Sequence, residues 1–192
     1  MRKLVLLFFY KIFRPLIYRA IDDYNKQPKI SGDKKNLIIS KTAVIGRFLD
    51  VECNNATVEI GDGCNILQNV KLLSYGGNIK LGVNVSVNPF CILYGHGGLT
   101  IGNNVRIANS SIFIPSNHNF SNIDIPIWQQ GETSKGIVLE DDIWIGSNVT
   151  VLDGVHIAKG VIVGAGSVVT KNLDREYAIY AGVPAKFIKF RS

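Results

Sequence analysis

The chain has 192 residues and a formal charge of +6, with 46% hydrophobic and 19% charged residues and 19 glycines. That length fits one domain, and a moderate charge without a basic, aromatic-interleaved stripe argues against a nucleic-acid surface. Three cysteines, Cys53, Cys64 and Cys91, form no CxxC and read as small reduced residues of a cytosolic protein, excluding a disulfide or zinc framework.

Residues 1–30 are different in kind from the rest. Met1 to Tyr24 reads MRKLVLLFFYKIFRPLIYRAIDDY, with basic residues around an apolar run from Leu4 to Tyr10. The run is too short to span a bilayer. Lys11 interrupts it and no small-residue cleavage site follows, which argues against export. The expectation is a cationic amphipathic helix, kinked or split at Pro15. Such a helix either packs on the end of the remaining chain or a neighbouring subunit, or lies in the membrane interface. The second alternative would give residues 1–24 a peripheral contact with the inner face of the membrane.

From residue 36 to 185 a period of six takes over. Every sixth residue from Leu139 is aliphatic: Ile145, Val151, Ile157, Val163 and Val169 follow, with a second apolar position at Ile143, Val149, Val155 and Val161. Upstream the ladder recurs as Ile39, Ile45, Val51; Ile60, Ile66, Leu72; Leu81, Val87, Leu93; and Ile101, Ile107, Phe113. This period belongs neither to a helix nor to a simple strand. It marks a parallel β-solenoid in which three hexads close a triangular coil and the aliphatics stack as the core. The Ile-Gly or Leu-Gly pairs at Gly46, Gly61, Gly82, Gly102 and Gly146 suit tight corners, where a Cβ would crowd the turn or φ must be positive. Asp62, Asn103, Asn104, Asn148 and Asp153 cluster at the same places, as residues that tolerate the left-handed conformation do.

Residues 114–138 break the period. The stretch IPSNHNFSNIDIPIWQQGETSKGIV is long for an irregular connection and holds His118 between Asn117 and Asn119. Loops on a rigid scaffold are where catalytic groups collect. After the last hexads, residues 186–192 form a tail expected to leave the final coil and cover its open edge through Phe187, Ile188 and Phe190.

Three segments carry a family resemblance. They are Asn117-His118-Asn119-Phe120 with Ile125-Pro126-Ile127 and Gln130-Gly131; Asp142-Ile143-Trp144-Ile145-Gly146-Ser147-Asn148-Val149; and Gly164-Ala165-Gly166-Ser167-Val168-Val169-Thr170-Lys171 with Ala181-Gly182-Val183-Pro184-Ala185-Lys186. Together with the hexads, residues 36–190 resemble the left-handed β-helix, hexapeptide-repeat acyltransferases, which include galactoside, maltose and nodulation-factor acetyltransferases. The histidine-loop variant resembles the branch that O-acetylates surface-polysaccharide sugars. The resemblance implies an all-β, left-handed parallel β-helix and a cytoplasmic homotrimer with its sites between subunits. It also implies direct acetyl transfer from acetyl-CoA to a sugar hydroxyl, with no metal.

That chemistry needs a base, and a neutral imidazole can take the hydroxyl proton and return it to the departing thiolate. By resemblance the base is His118, and the oxyanion meets a donor near Ser147. His96, at the glycine-rich corner Tyr94-Gly95-His96-Gly97-Gly98, reads as a solvated turn histidine, and His156 as an outward surface residue. Asn88, thirty residues before His118, resembles the acceptor-binding asparagine of sugar acetyltransferases; an ordinary turn asparagine beside Pro89 is the plainer reading. Asn117 joins it as a candidate acceptor contact, and Asp124 and Glu140 are candidates to orient the imidazole or bind sugar hydroxyls. For CoA the resemblance offers Trp144 beside the pantetheine arm, Ser147, and the small residues Ala165 and Gly166 at its closest approach. Thr170, Lys171 and Lys186 fall near the adenine and 3′-phosphate.

Other functions fit less well. A solenoid carbonic anhydrase needs three zinc-binding histidines, two of them close in sequence, whereas the three here are 22 and 38 residues apart. N-acetylation of an amino sugar and antibiotic acetylation share fold and cofactor. A non-catalytic scaffold would have no need of the histidine loop.

Overall fold

The computed structural model describes Leu16 and residues 27–191 of the chain. The expected amphipathic helix of residues 1–24 lies outside the described residues, Leu16 apart. No helix among the described residues is long and apolar enough to cross a membrane.

Short strands stack in parallel into three sheets. The first face runs from Leu37–Ile39 to His156–Ile157, the second from Val44–Ile45 to Ala178–Ala181, and the third from Lys29–Gly32 to Val168–Val169. Each coil visits the faces in turn, so the aliphatic positions read from the period meet their counterparts one coil away. Ile39, Ile60, Leu81, Ile101, Leu139 and Ile157 are successive partners on the first face. Ile45, Ile66, Val87, Ile107, Ile145 and Val163 stack on the second. Val51, Leu72, Leu93, Phe113, Val151 and Val169 stack on the third. Most of these side chains are fully buried, and each contributes about 1.5–3 kcal/mol by leaving water. The second apolar positions Ile143, Val149, Val155 and Val161 are buried as well.

The corner glycines act by close approach. Gly46, Gly61, Gly82, Gly102 and Gly146 do not have positive φ. A Cβ on Gly146 would instead stand 2.6 Å from the Ala165 backbone nitrogen, because the next coil passes directly beneath it. Left-handed residues sit elsewhere on the corners, including the expected Asn104 and Asn148 (φ 59° and 56°). Four bulky aromatics also adopt this conformation: Phe48, Tyr75, Phe90 and Tyr177. Such a conformation is unfavourable for a bulky side chain.

At the C-terminal end, Lys186–Phe190 folds back antiparallel on Ala178–Ala181. Phe187 meets Tyr180 edge-on at 5.9 Å, and the Arg175 guanidinium lies 4.5 Å from the Phe187 ring centre.

Candidate active site

The segment that breaks the period is ordered, and its order aims His118. Ser116–His118 pairs antiparallel with Glu132–Ser134, placing His118 opposite Glu132 and Asn117 opposite Thr133. At the base, the Lys135 amide donates to the Pro115 carbonyl at 3.1 Å. Asn119 closes the far end: its backbone N–H donates to Gly131 O and its side-chain amide to Gln130 O, both at 3.0 Å. Gln130 ties the tip by accepting from Asn122 N–H (3.0 Å) and donating to the carbonyls of Asn122 (2.7 Å) and Ile125 (3.0 Å). Asn119 and the Gln130-Gly131 pair are therefore structural parts of the arm. The first-face strand resumes at Ile137, two residues before the position from which the period was counted.

His118 Nδ1 lies 3.4 Å from Glu132 Oε1, with both side chains about half exposed. A carboxylate so close is placed to orient the ring and to steady it when it carries a proton. The pair opens on a cavity of about 480 Å³ between the hairpin and the corner that follows the third face. Tyr75, Tyr94, His96, Ile114, Ser116 and Asn117 complete its lining. Tyr75 and Tyr94 stack at 5.7 Å, and His96 packs on them at 4.9 and 5.8 Å. His96 is thus a half-buried member of the site's wall, where the sequence suggested a solvated turn.

The remaining predicted residues fall in several places. Asn117 lines the cavity, whereas Asp124 sits exposed on the hairpin tip, its amide bonded to Asn122 Oδ1 at 2.9 Å. Glu140 is engaged with His156, 3.1 Å away, and with the Lys159 amide, so it does not orient His118. Glu132 takes that position, a residue that sequence reasoning missed. Its signal is available only once the arm is read as a hairpin, since the register decides which carboxylate faces the imidazole.

Asn88, Ser147, Ala165 and Gly166 lie on a different corner, the one that follows the second face. Neighbouring backbones there run in ladder register: the Asn88 amide donates to Ile107 O at 2.9 Å, and the Gly166 amide to Ser147 O at 2.8 Å. The Ser147 hydroxyl donates to Asn109 Oδ1 at 2.8 Å. Ala165 and Gly166 form an exposed ledge, Gly166 at φ +71°. Trp144, half exposed, stands on the adjoining second face between Arg106 and Ile162. Thr170 and Lys171 follow the third face, as the hairpin does, and their strand is the second one beyond the hairpin's own. Lys186 is exposed on the terminal strand.

The three cysteines are buried and free. Burial pushes the Cys91 and Cys64 thiols up, which keeps them protonated and unsuited as nucleophiles. Among the described residues no group of three or more His, Cys, Asp or Glu could hold a metal ion.

A triangular parallel β-solenoid with one hairpin carrying a histidine beside a carboxylate defines the architecture. The family comparison agrees: residues 136–171 match the model described as Bacterial transferase hexapeptide (six repeats). The chain is 33% identical over 144 residues to WbbJ of Escherichia coli (strain K12), whose name provisionally assigns it to lipopolysaccharide biosynthesis as an O-acetyl transferase. The match covers 71% of this chain and 73% of WbbJ. Galactoside O-acetyltransferase of the same organism is 34% identical over 117 residues, covering 60% of this chain and 56% of that protein. Among solved structures, a point mutant of AntD, a Bacillus cereus N-acyltransferase bound to dTDP-4-amino-4,6-dideoxyglucose and coenzyme A, superposes with a TM-score of 0.55 at 25% identity. It covers 91% of this chain and 89% of AntD. The polySia-specific acetyltransferase NeuO, at 22% identity, shares the fold with a TM-score of 0.59 over 85% of this chain and 86% of its own. The chain belongs to the hexapeptide-repeat acyltransferases, and its coil is their left-handed parallel β-helix.

Proposed function

We propose that the protein transfers an acetyl group from acetyl-CoA to a hydroxyl of a sugar in a bacterial surface polysaccharide or its precursor. The observation that carries this reading is the His118 imidazole, open to a cavity and paired with Glu132 across the antiparallel hairpin. His118 Nε2 takes the acceptor hydroxyl's proton as that oxygen attacks the thioester carbonyl. A donor beside Ser147 meets the oxyanion. When the C–S bond breaks, the imidazolium returns its proton to the thiolate, so transfer is direct and balanced. Glu132 orients the imidazole and steadies the cation formed in between. Acetyl-CoA supplies the activated acyl group; the exposed ledge at Ala165 and Gly166 and the flat face of Trp144 suit a long, thin pantetheine arm, with Thr170, Lys171 and Lys186 toward its phosphates.

Geometry also argues for a site shared between subunits. Six residues per face at about 3.3 Å each put neighbouring corners up to about 20 Å apart. In one chain, His118 and the Ser147–Ala165 ledge therefore belong to separate corners. A second copy laying its ledge beside the first copy's hairpin unites them, and a threefold arrangement closes without leftover contacts. Asn88, on the ledge's corner, reaches an acceptor by the same juxtaposition. We place the reaction on the cytoplasmic side, with residues 1–24 against the membrane; flotation with anionic vesicles, with and without that segment, checks it.

A mixing experiment tests the shared site. His118→Ala and Ala165→Phe are each expected to be inactive alone. Mixed subunits, reassembled or co-expressed, should recover activity at about a quarter of the sites. No recovery at any ratio would place base and ledge in one chain. The likeness to AntD supports an amino sugar as a second reading of the acceptor; amino-sugar and hydroxyl acceptors compared in one assay separate the two.

A further inference from the structure

Three aromatic side chains in the cavity wall have no part in the proton transfers. Tyr75 and Tyr94 come from adjacent coils and stack with their planes 23° apart, and His96 tilts against both. Tyr75 is 53% exposed, yet it is held in a left-handed conformation at φ 43°. That geometry is costly for a bulky residue and persists only where the surroundings impose it. Glu52 pins this corner: its carboxylate accepts from the Tyr75 amide and the Ser74 hydroxyl, both at 2.7 Å, and from the Asn54 amide at 2.9 Å. The left-handed corner recurs at Phe48, Phe90 and Tyr177; what sets Tyr75 apart is that its pinned, half-open ring faces the base's cavity. His96 adds a second sign, since its Nδ1 is buried without a hydrogen-bond partner. Buried polar atoms are rarely left so.

The cavity does not end at His96. On its other side lies an open trough of about 640 Å³ that shares His96 and is lined by polar side chains, among them Asn55, Thr57, Lys80 and Thr100. An aromatic platform beside the base, continuing into a hydroxyl- and amide-lined groove, has the chemistry of a sugar chain. The C–H face of a pyranose stacks on aromatic rings while its hydroxyls meet polar neighbours.

We propose that Tyr75, Tyr94 and His96 form the platform on which the acetylated sugar stacks, and that the acceptor's next sugars cross His96 into the polar trough, making the substrate an oligo- or polysaccharide. Glu52 is a positioning residue that acts through Tyr75. The assignment rests on the acetyl-transfer reading and names its substrate class.

Tyr75→Gly removes the ring while suiting the left-handed turn, so the corner keeps its fold; Tyr75→Phe keeps the ring. The probes are a panel of bacterial polysaccharides with their one- to four-sugar fragments, scored by binding to the His118→Ala protein and by acetyl transfer with the wild type. Tyr75→Gly is expected to raise the acceptor KM by about tenfold or more, from the area one ring covers, with the acetyl-CoA KM unchanged and Tyr75→Phe near wild type. Affinity should rise from one to four sugars, and Thr100→Ala with Lys80→Ala should weaken only the longer fragments. An acceptor KM within twofold of wild type in Tyr75→Gly, affinity independent of fragment length, or no binding by any polysaccharide would overturn the proposal. Acceptor-free turnover of acetyl-CoA that depends on His118 reads the acetyl-transfer assignment separately, so either can fail alone.

Discussion

Replacing Glu52 with glutamine should destabilise the corner that carries Tyr75, in a manner set by pH. The Glu52 carboxylate accepts three hydrogen bonds, from the Ser74 hydroxyl and from the amides of Tyr75 and Asn54. Burial would raise its pKa, but these bonds more than offset that and hold it below the ordinary value of 4.5. Glutamine can still accept from two of the donors, but its amide confronts the third. Charge-assisted bonds contribute about 1.5–3 kcal/mol against about 0.5–1.5 for neutral ones, so the change costs about 2 kcal/mol near neutral pH. For a chain of this size that is about 4–8 °C in Tm. Because the folded pKa is depressed, the contribution is complete above 4.5 and is lost as the pH falls through the folded value. Thermal unfolding of wild type and Glu52→Gln should therefore differ at pH 7 and converge near the acid limit. The same Tm gap at both ends, or none at pH 7, would refute the reasoning.

Phe113→Ala, at a fully buried rung of the third face just before the hairpin, should cost about 3–5 kcal/mol in denaturant unfolding. Glu132→Gln should lower kcat only modestly. The pair is about half exposed, and exposed pairs contribute about 0.2–1 kcal/mol, or up to about fivefold in rate; a thousandfold loss would mean that Glu132 itself reacts.

The solenoid was legible because its core is a column of repeats. Ile45 lies under Ile66 and Ile66 under Val87, so the period maps directly onto the register. The corner glycines were found for a reason only half right, since crowding at Gly146 rather than positive φ excludes a side chain. Legibility stopped at residues 114–138. Their hairpin is set by side-chain ties such as Gln130 to Asn122 and Ile125, which leave no period to read. With the hairpin went Glu132, whose role depends on an antiparallel register, while Glu140 turned out to serve His156. Tyr75, Tyr94 and His96 were equally hidden, because the coil return that brings positions 75 and 96 together is a property of the stacked corners. The separation of His118 from Ser147 and Ala165 appears only when faces are assigned to corners, and from it comes the argument for a shared site.

The most direct measurement is acceptor-dependent CoA release from acetyl-CoA by wild type and His118→Ala, with CoA binding followed in parallel. Loss of a general base costs about 10²–10⁴-fold, so kcat should fall by that factor while CoA binds the variant as tightly as the wild type. Release within tenfold of wild type would contradict the assignment of His118 as the base.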